Sequence, residues 1–106
     1  PCGREDYGMH TMGEDMADQL GVRAALRAWR AAGQPAGRDR AFFAAYAQLW
    51  CAHLSEQQRC ARVAQDVHAL PRHRVNKVLR QLEPFGRAYA CPANASMASS
   101  ARCIVY

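Results

Sequence analysis

Residues 11–32 read Thr-Met-Gly-Glu-Asp-Met-Ala-Asp-Gln-Leu-Gly-Val-Arg-Ala-Ala-Leu-Arg-Ala-Trp-Arg-Ala-Ala, and their period decides the fold class. Val22, Ala25, Leu26 and Trp29 recur at steps of three and four, while Arg23, Arg27 and Arg30 fall elsewhere, which is the pattern of an amphipathic helix. Thr11-Met12-Gly13-Glu14 has the form of a capping box, so the helix is expected to begin there and run to about Ala32. Working outward, Gly33-Gln34-Pro35-Ala36-Gly37 breaks the pattern as a loop. Ala41 to Cys51 is then apolar nearly all round, which predicts a core helix covered on most sides. Pro71 is suited to the first position of a third helix continuing through Val75, Val78, Leu79 and Leu82, and a short fourth is expected over Pro84 to Ala90. No alternating strand pattern and no repeat occurs, so the expected class is mainly α.

The 106 residues allow one small domain at most. The net charge of +5 is almost all arginine, 13 of 14 cations, scattered from Arg4 to Arg102. With no basic stripe, no readout motif and most aromatics inside apolar segments, no nucleic-acid partner is expected. No apolar run is long enough to span a membrane. Pro1-Cys2-Gly3-Arg4-Glu5-Asp6 lacks a signal-peptide core and no Met precedes it, so the segment is expected to belong to a longer polypeptide. Five cysteines, Cys2, Cys51, Cys60, Cys91 and Cys103, contain no C-x-x-C pair. That favours disulfides in an oxidising, extracytoplasmic compartment over a zinc ribbon, with the odd count leaving at least one cysteine unpaired within the chain. Asn94-Ala95-Ser96 is an N-glycosylation sequon, meaningful in a eukaryotic secreted protein.

Glu14 and Asp18 lie one helical turn apart on the face that also carries Val22, Ala25 and Trp29. Carboxylates on an apolar face need partners or a wet helix end. Two readings follow from the residues. Glu14 is the capping-box glutamate with Asp18 a favourable charge near a helix N-terminus, or Glu14 ligates a metal and Asp18 orients a metal-bound imidazole by accepting its other N–H.

Four blocks in order now resemble a family. Thr11-Met12-Gly13-Glu14-Asp15-Met16-Ala17-Asp18 is similar to the T-L-G-E-N-x-A-D motif of the neprilysin-like zinc metallopeptidases. Phe42 to Cys51 resembles the family's F-F-x-x-[FY]-A-Q-V-W-C. Asp66-Val67-His68 with Arg74-Val75 resembles D-x-H-S-P-x-x-F-R-V, and Cys91-Pro92 with Met97 and Cys103 resembles the closing C-P-x-x-S-x-M-N…C-x-V-W. The likeness covers Thr11 to Tyr106 and leaves residues 1–10 as a poorly matched leader.

The resemblance implies the C-terminal helical portion of a zincin-type metallopeptidase catalytic domain, spanning residues 1–106, that hydrolyses peptides with one zinc ion. By it, Glu14 ligates zinc, Asp18 buttresses a ligating histidine, and His68 donates to the oxyanion formed as water attacks the scissile carbonyl. Arg74 holds a substrate carbonyl, and Leu49 and Trp50 line a pocket for the substrate's apolar side chain, although ordinary core packing explains those two as well. Cys51, Cys91 and Cys103 fall at family positions with disulfide partners upstream, and Cys2 stands as a replacement partner for the last cysteine. Cys60, His10, His53 and His73 match no family role, and His73 stands where the family has Phe. No H-E-x-x-H occurs, so the remaining zinc ligands and the general base are expected in the upstream part of the same polypeptide, and any membrane attachment through an anchor not present here. The family Asn is Asp15, the usual N-G-G is Gln19-Leu20-Gly21, the H-S-P is His68-Ala69-Leu70-Pro71, and the final Trp is Tyr106. These departures keep a catalytically inactive helical interaction domain of the same family as an alternative.

Overall fold

The computed structural model describes residues 1–98, and among them every regular element is helical. The first helix, α1, spans Tyr7–Ala31 and at 1.5 Å per residue is about 37 Å long. It begins a turn earlier than the capping-box reading placed it, inside the supposed leader. Thr11 is therefore an interior residue, buried, with its hydroxyl 3.1 Å from the Tyr7 carbonyl and 2.8 Å from Asp15 Oδ2. Asp6 stands at the N-cap without a side-chain cap bond, so the cap role for Thr11 and Glu14 is set aside.

After Gly33, whose φ of +81° suits a residue without Cβ just past a helix end, a 3₁₀ turn leads into α2, Asp39–Leu49. Asp39 is buried and accepts from the Arg30 guanidinium, tying the start of α2 to the end of α1. The segment expected to be a core helix is only half covered. Phe43 is fully buried, but Ala44, Ala45, Gln48 and Leu49 face solvent. Its alanines make it apolar all round without supplying bulk for a second packing layer.

Helix α3, Glu56–Gln65, carries a capping box, Ser55 with Gln58. Helices α4, Pro71–Arg80, and α5, Glu83–Ala88, fall where the two prolines predicted starts. The main core joins Val22 and Leu26 of α1, Phe43 of α2, Val78 and Leu79 of α4, and Leu82. Phe43 meets Phe85 edge to face with centroids 5.4 Å apart, a favoured aromatic geometry. Ala25, expected on this face, is exposed.

A smaller core of Tyr7, Val63 and Leu70 fastens the loop between α3 and α4 onto α1. The Leu70 N–H donates to the Tyr7 hydroxyl at 2.8 Å, and His10 Nε2 lies 3.0 Å from the Asp66 carbonyl. Arg4 donates to the carbonyls of Val63 and Ala64 at the end of α3. Cys2 is bonded to Cys60, which corrects the expectation that Cys2 substitutes as partner of the last cysteine: Cys60, assigned no role, takes it. Cys51 and Cys91 are thiols here, and Cys103 lies outside the described residues, as does Tyr106.

Candidate active site

On α1 the residues 7, 11, 14, 18, 22, 26 and 29 share one face by the 100° step of the helix. Glu14 and Asp18 occupy its middle, with Val22 and Leu26 packed in the core beyond them. The α3–α4 loop and the first turn of α4 lie against this face, and they bring His68 and Arg74 to the two carboxylates. Glu14, Asp18, His68, Arg74 and Trp50 thus meet although as many as 60 positions separate them in sequence.

Asp18 and Arg74 form a bidentate pair, Nε to Oδ2 and Nη2 to Oδ1, each 2.6 Å. Only 11% of the Asp18 and 15% of the Arg74 side chain is exposed, so the pair is shielded from solvent screening more than a surface bridge. The carboxylate raises the Arg74 pKa by accepting these bonds, keeping the guanidinium charged. Trp50 lies under it, its ring centroid 3.8 Å from the guanidinium carbon, a close cation–π contact. The Tyr46 hydroxyl donates to the Arg74 carbonyl at 3.0 Å, and burial pushes its own pKa up to about 12, with the nearby Asp18 charge acting in the same direction. Two of Arg74's five N–H groups serve Asp18, leaving the Nη1 pair and one on Nη2 for another acceptor.

His68 stands between two carboxylates. Its Nδ1 is 2.8 Å from Asp66 Oδ1, and its Nε2 is 3.3 Å from Glu14 Oε2. Asp66 Oδ1 also accepts from the His68 backbone N–H at 2.9 Å, a local turn that aspartate makes through its short side chain. These bonds hold the Asp66 pKa below its usual value of 3.8. With Asp66 ionised and able only to accept, Nδ1 carries a hydrogen, and Nε2, turned toward the Glu14 carboxylate, donates when it carries one as well.

Leu49 does not join this group. It is 78% exposed and directed to solvent, whereas Trp50 at the C-cap of α2 reaches Arg74. Asp66 and Tyr46 are the members to which the sequence reading gave no role. The signals for them were the two-residue spacing of Asp66 and His68, which permits the turn, and the position of Tyr46 one helical turn before Trp50. The added carboxylate at Asp15 is tied to Thr11. Gln19, in place of the family Asn, reaches the Val78 carbonyl at 3.3 Å.

Glu14 fits a single metal ligand. It is an oxygen anion on a rigid helix, 41% exposed, with His68 Nε2 3.3 Å from its Oε2. Among the described residues no three His, Cys, Asp or Glu side chains gather as a metal site. A catalytic zinc takes three protein ligands and an open position, more than the described residues bring together.

A model of "Peptidase family M13" matches residues 4–105. Human endothelin-converting enzyme-like 1 is 34% identical over 110 residues, covering 93% of this chain and 14% of that protein. Neprilysin-1 of Caenorhabditis elegans is 31% identical over 112 residues, 93% of this chain and 15% of that protein. Human membrane metallo-endopeptidase-like 1 is 34% identical over 110 residues, again 93% and 14%. The chain therefore spans a small fraction of the length of these curated relatives. No solved structure matches it.

Proposed function

Because the chain belongs to peptidase family M13, we propose that it is the C-terminal segment of a zinc metalloendopeptidase catalytic domain, contributing one zinc ligand and the groups that hold the substrate and its oxyanion. The observation that supports this most is the convergence of Glu14, His68, Asp18 and Arg74 on one side of α1.

Glu14 would hold the metal through its carboxylate, with the other ligands and the general base supplied by the rest of the polypeptide. Zinc in such a site supplies Lewis-acid activation of water and of the scissile carbonyl. The remaining steps belong to this chain's own side chains. His68, oriented by Asp66, would present Nε2 to the oxygen that gains negative charge, donating as the imidazolium, in which both ring nitrogens carry hydrogen. A donor aimed there is worth about 10²- to 10³-fold in rate. Arg74, clamped by Asp18 and Trp50, offers its free N–H groups to a substrate backbone carbonyl, and the clamp fixes their direction before substrate arrives. Asp18 acts by holding Arg74, beside its family role toward a zinc-bound histidine. Trp50 contributes as the floor under Arg74 and as a wall for an apolar side chain.

This chain offers the rest of the polypeptide a surface to cover. Met9, Met12, Met16 and Leu20 follow at steps of three, four and four on the side of α1 away from Glu14, all exposed and Met9 by 78%. An apolar strip of this kind is expected to be covered in the whole molecule. The same strip would suit a non-catalytic interaction domain, which predicts no zinc and no hydrolysis. The Cys2–Cys60 bond supports an extracytoplasmic location. Among the described residues no helix is long and apolar enough to cross a membrane.

The test is His68→Ala in the complete polypeptide, assayed on peptides. We expect kcat to fall about 100-fold or more with KM little changed. A raised KM with kcat unchanged would make His68 a binding residue, and a wild-type protein without peptidase activity would overturn the reading.

A further inference from the structure

We propose that Asn94 is an N-glycan acceptor, which neither the family match nor the site assigns. The sequence has two asparagines. Asn76 is followed by Lys77-Val78 and lies inside α4, whereas Asn94 is followed by Ala95-Ser96, with a hydroxyl two positions on and no proline between.

The structure leaves Asn94 and Ser96 of this tripeptide at the surface. Two consecutive turns carry it: the Ala95 N–H donates to the Pro92 carbonyl at 2.9 Å, and the Ala98 N–H donates to the Ala95 carbonyl at 2.9 Å. Asn94 and Ser96 sit at the corners of these turns, and both are exposed. The loop is anchored on either side. The Cys91 N–H donates to the Gly86 carbonyl at 2.9 Å, and Met97 packs against the main core. An acceptor on such a loop points a bulky, hydrophilic group into solvent while its flanks stay folded. The residues gathered around Glu14 come from α1, α2, the α3–α4 loop and α4, so none belongs to the sequon's own segment.

The transfer balances without any redox partner. Asn94 Nδ2 loses a proton and bonds to the anomeric carbon of an oligosaccharide carried on a lipid pyrophosphate. The bond from that carbon to the pyrophosphate oxygen breaks, and the lipid pyrophosphate leaves. The inference rests on the extracytoplasmic part of the proposed function and is independent of zinc.

The chain is expressed through a eukaryotic secretory pathway and digested with trypsin. Cleavage after Arg87 and Arg102 releases peptide 88–102, in which Asn94 is the sole asparagine. We expect this peptide to carry glycan and to yield Asp at position 94 after amidase deglycosylation. The modification should vanish in Asn94→Gln and Ser96→Ala and persist in Ser96→Thr. Recovery of peptide 88–102 unmodified, with Cys2 and Cys60 bonded, would overturn the proposal alone. Unmodified peptide with both of those cysteines reduced would overturn the exported reading together with it.

Discussion

At the scale of single residues, His73 shows how a departure from a family pattern becomes a physical liability. Its ring packs edge-on against Tyr7, centroids 5.9 Å apart, and among the described residues its buried Nδ1 has no hydrogen-bond partner. Burial holds its pKa below the usual 6.5, and the positive charges of Lys77 and Arg72 push the same way against the opposing pull of Asp15. The unfolded chain therefore binds the proton more readily than the folded one. Stability is full above about pH 6.5 and falls as pH drops through that value. His73→Phe should flatten this decline and add about 1 kcal/mol, read from urea unfolding on either side of pH 6.5. An unchanged pH slope would show that another group causes it. The Asp18–Arg74 pair makes the opposite case, a charge pair satisfied on several sides. Asp18→Ala or Arg74→Met alone should cost about 2–3 kcal/mol, because each leaves a shielded charge unmatched. The double variant should cost less than the two together, and strict additivity would deny the coupling.

At the scale of elements, the reading from sequence succeeded where periodicity or proline marked a helix and failed where neither did. α1, α2, α4 and α5 were legible from these signals. Helix α3 was not, because Glu56–Gln65 is Gln- and Arg-rich and buries only Val63, too little for an apolar stripe. Its one legible sign is the Ser55–Gln58 capping box, a pattern that Thr11–Glu14 imitates inside a continuous helix. Tyr7 and Thr11 belong to the buried face, so the helix runs through that pattern. The Glu14–Asp18 face was legible from spacing. The clamp on Arg74 was not, since no local pattern predicts that residues 18, 50 and 74 meet. Helix α3 depends on its cap and on its bond to the N-terminal segment. Ser55→Ala should destabilise by about 1 kcal/mol. Cys60→Ser opens a loop of 58 residues and should cost about 2–4 kcal/mol. Both are measurable by denaturant unfolding, and a smaller loss for Cys60→Ser than for Ser55→Ala would show that the disulfide adds little.

At the scale of the molecule, the proposed reading of a segment working within a larger catalytic domain accounts for three features together: the single ligand candidate, the exposed methionine strip and the small share of each relative that the chain covers. The groups proposed to face the substrate are assembled by this segment's own packing: the Tyr7 and His10 contacts place the loop bearing His68, and the Asp18 and Trp50 contacts place Arg74. The proposed function leaves the rest of the metal's coordination to the larger polypeptide. The most direct measurement is zinc content by elemental analysis of the complete polypeptide, wild type against Glu14→Ala. The account predicts about one zinc per wild-type molecule and loss of that zinc in the variant. One full equivalent retained by Glu14→Ala would contradict it.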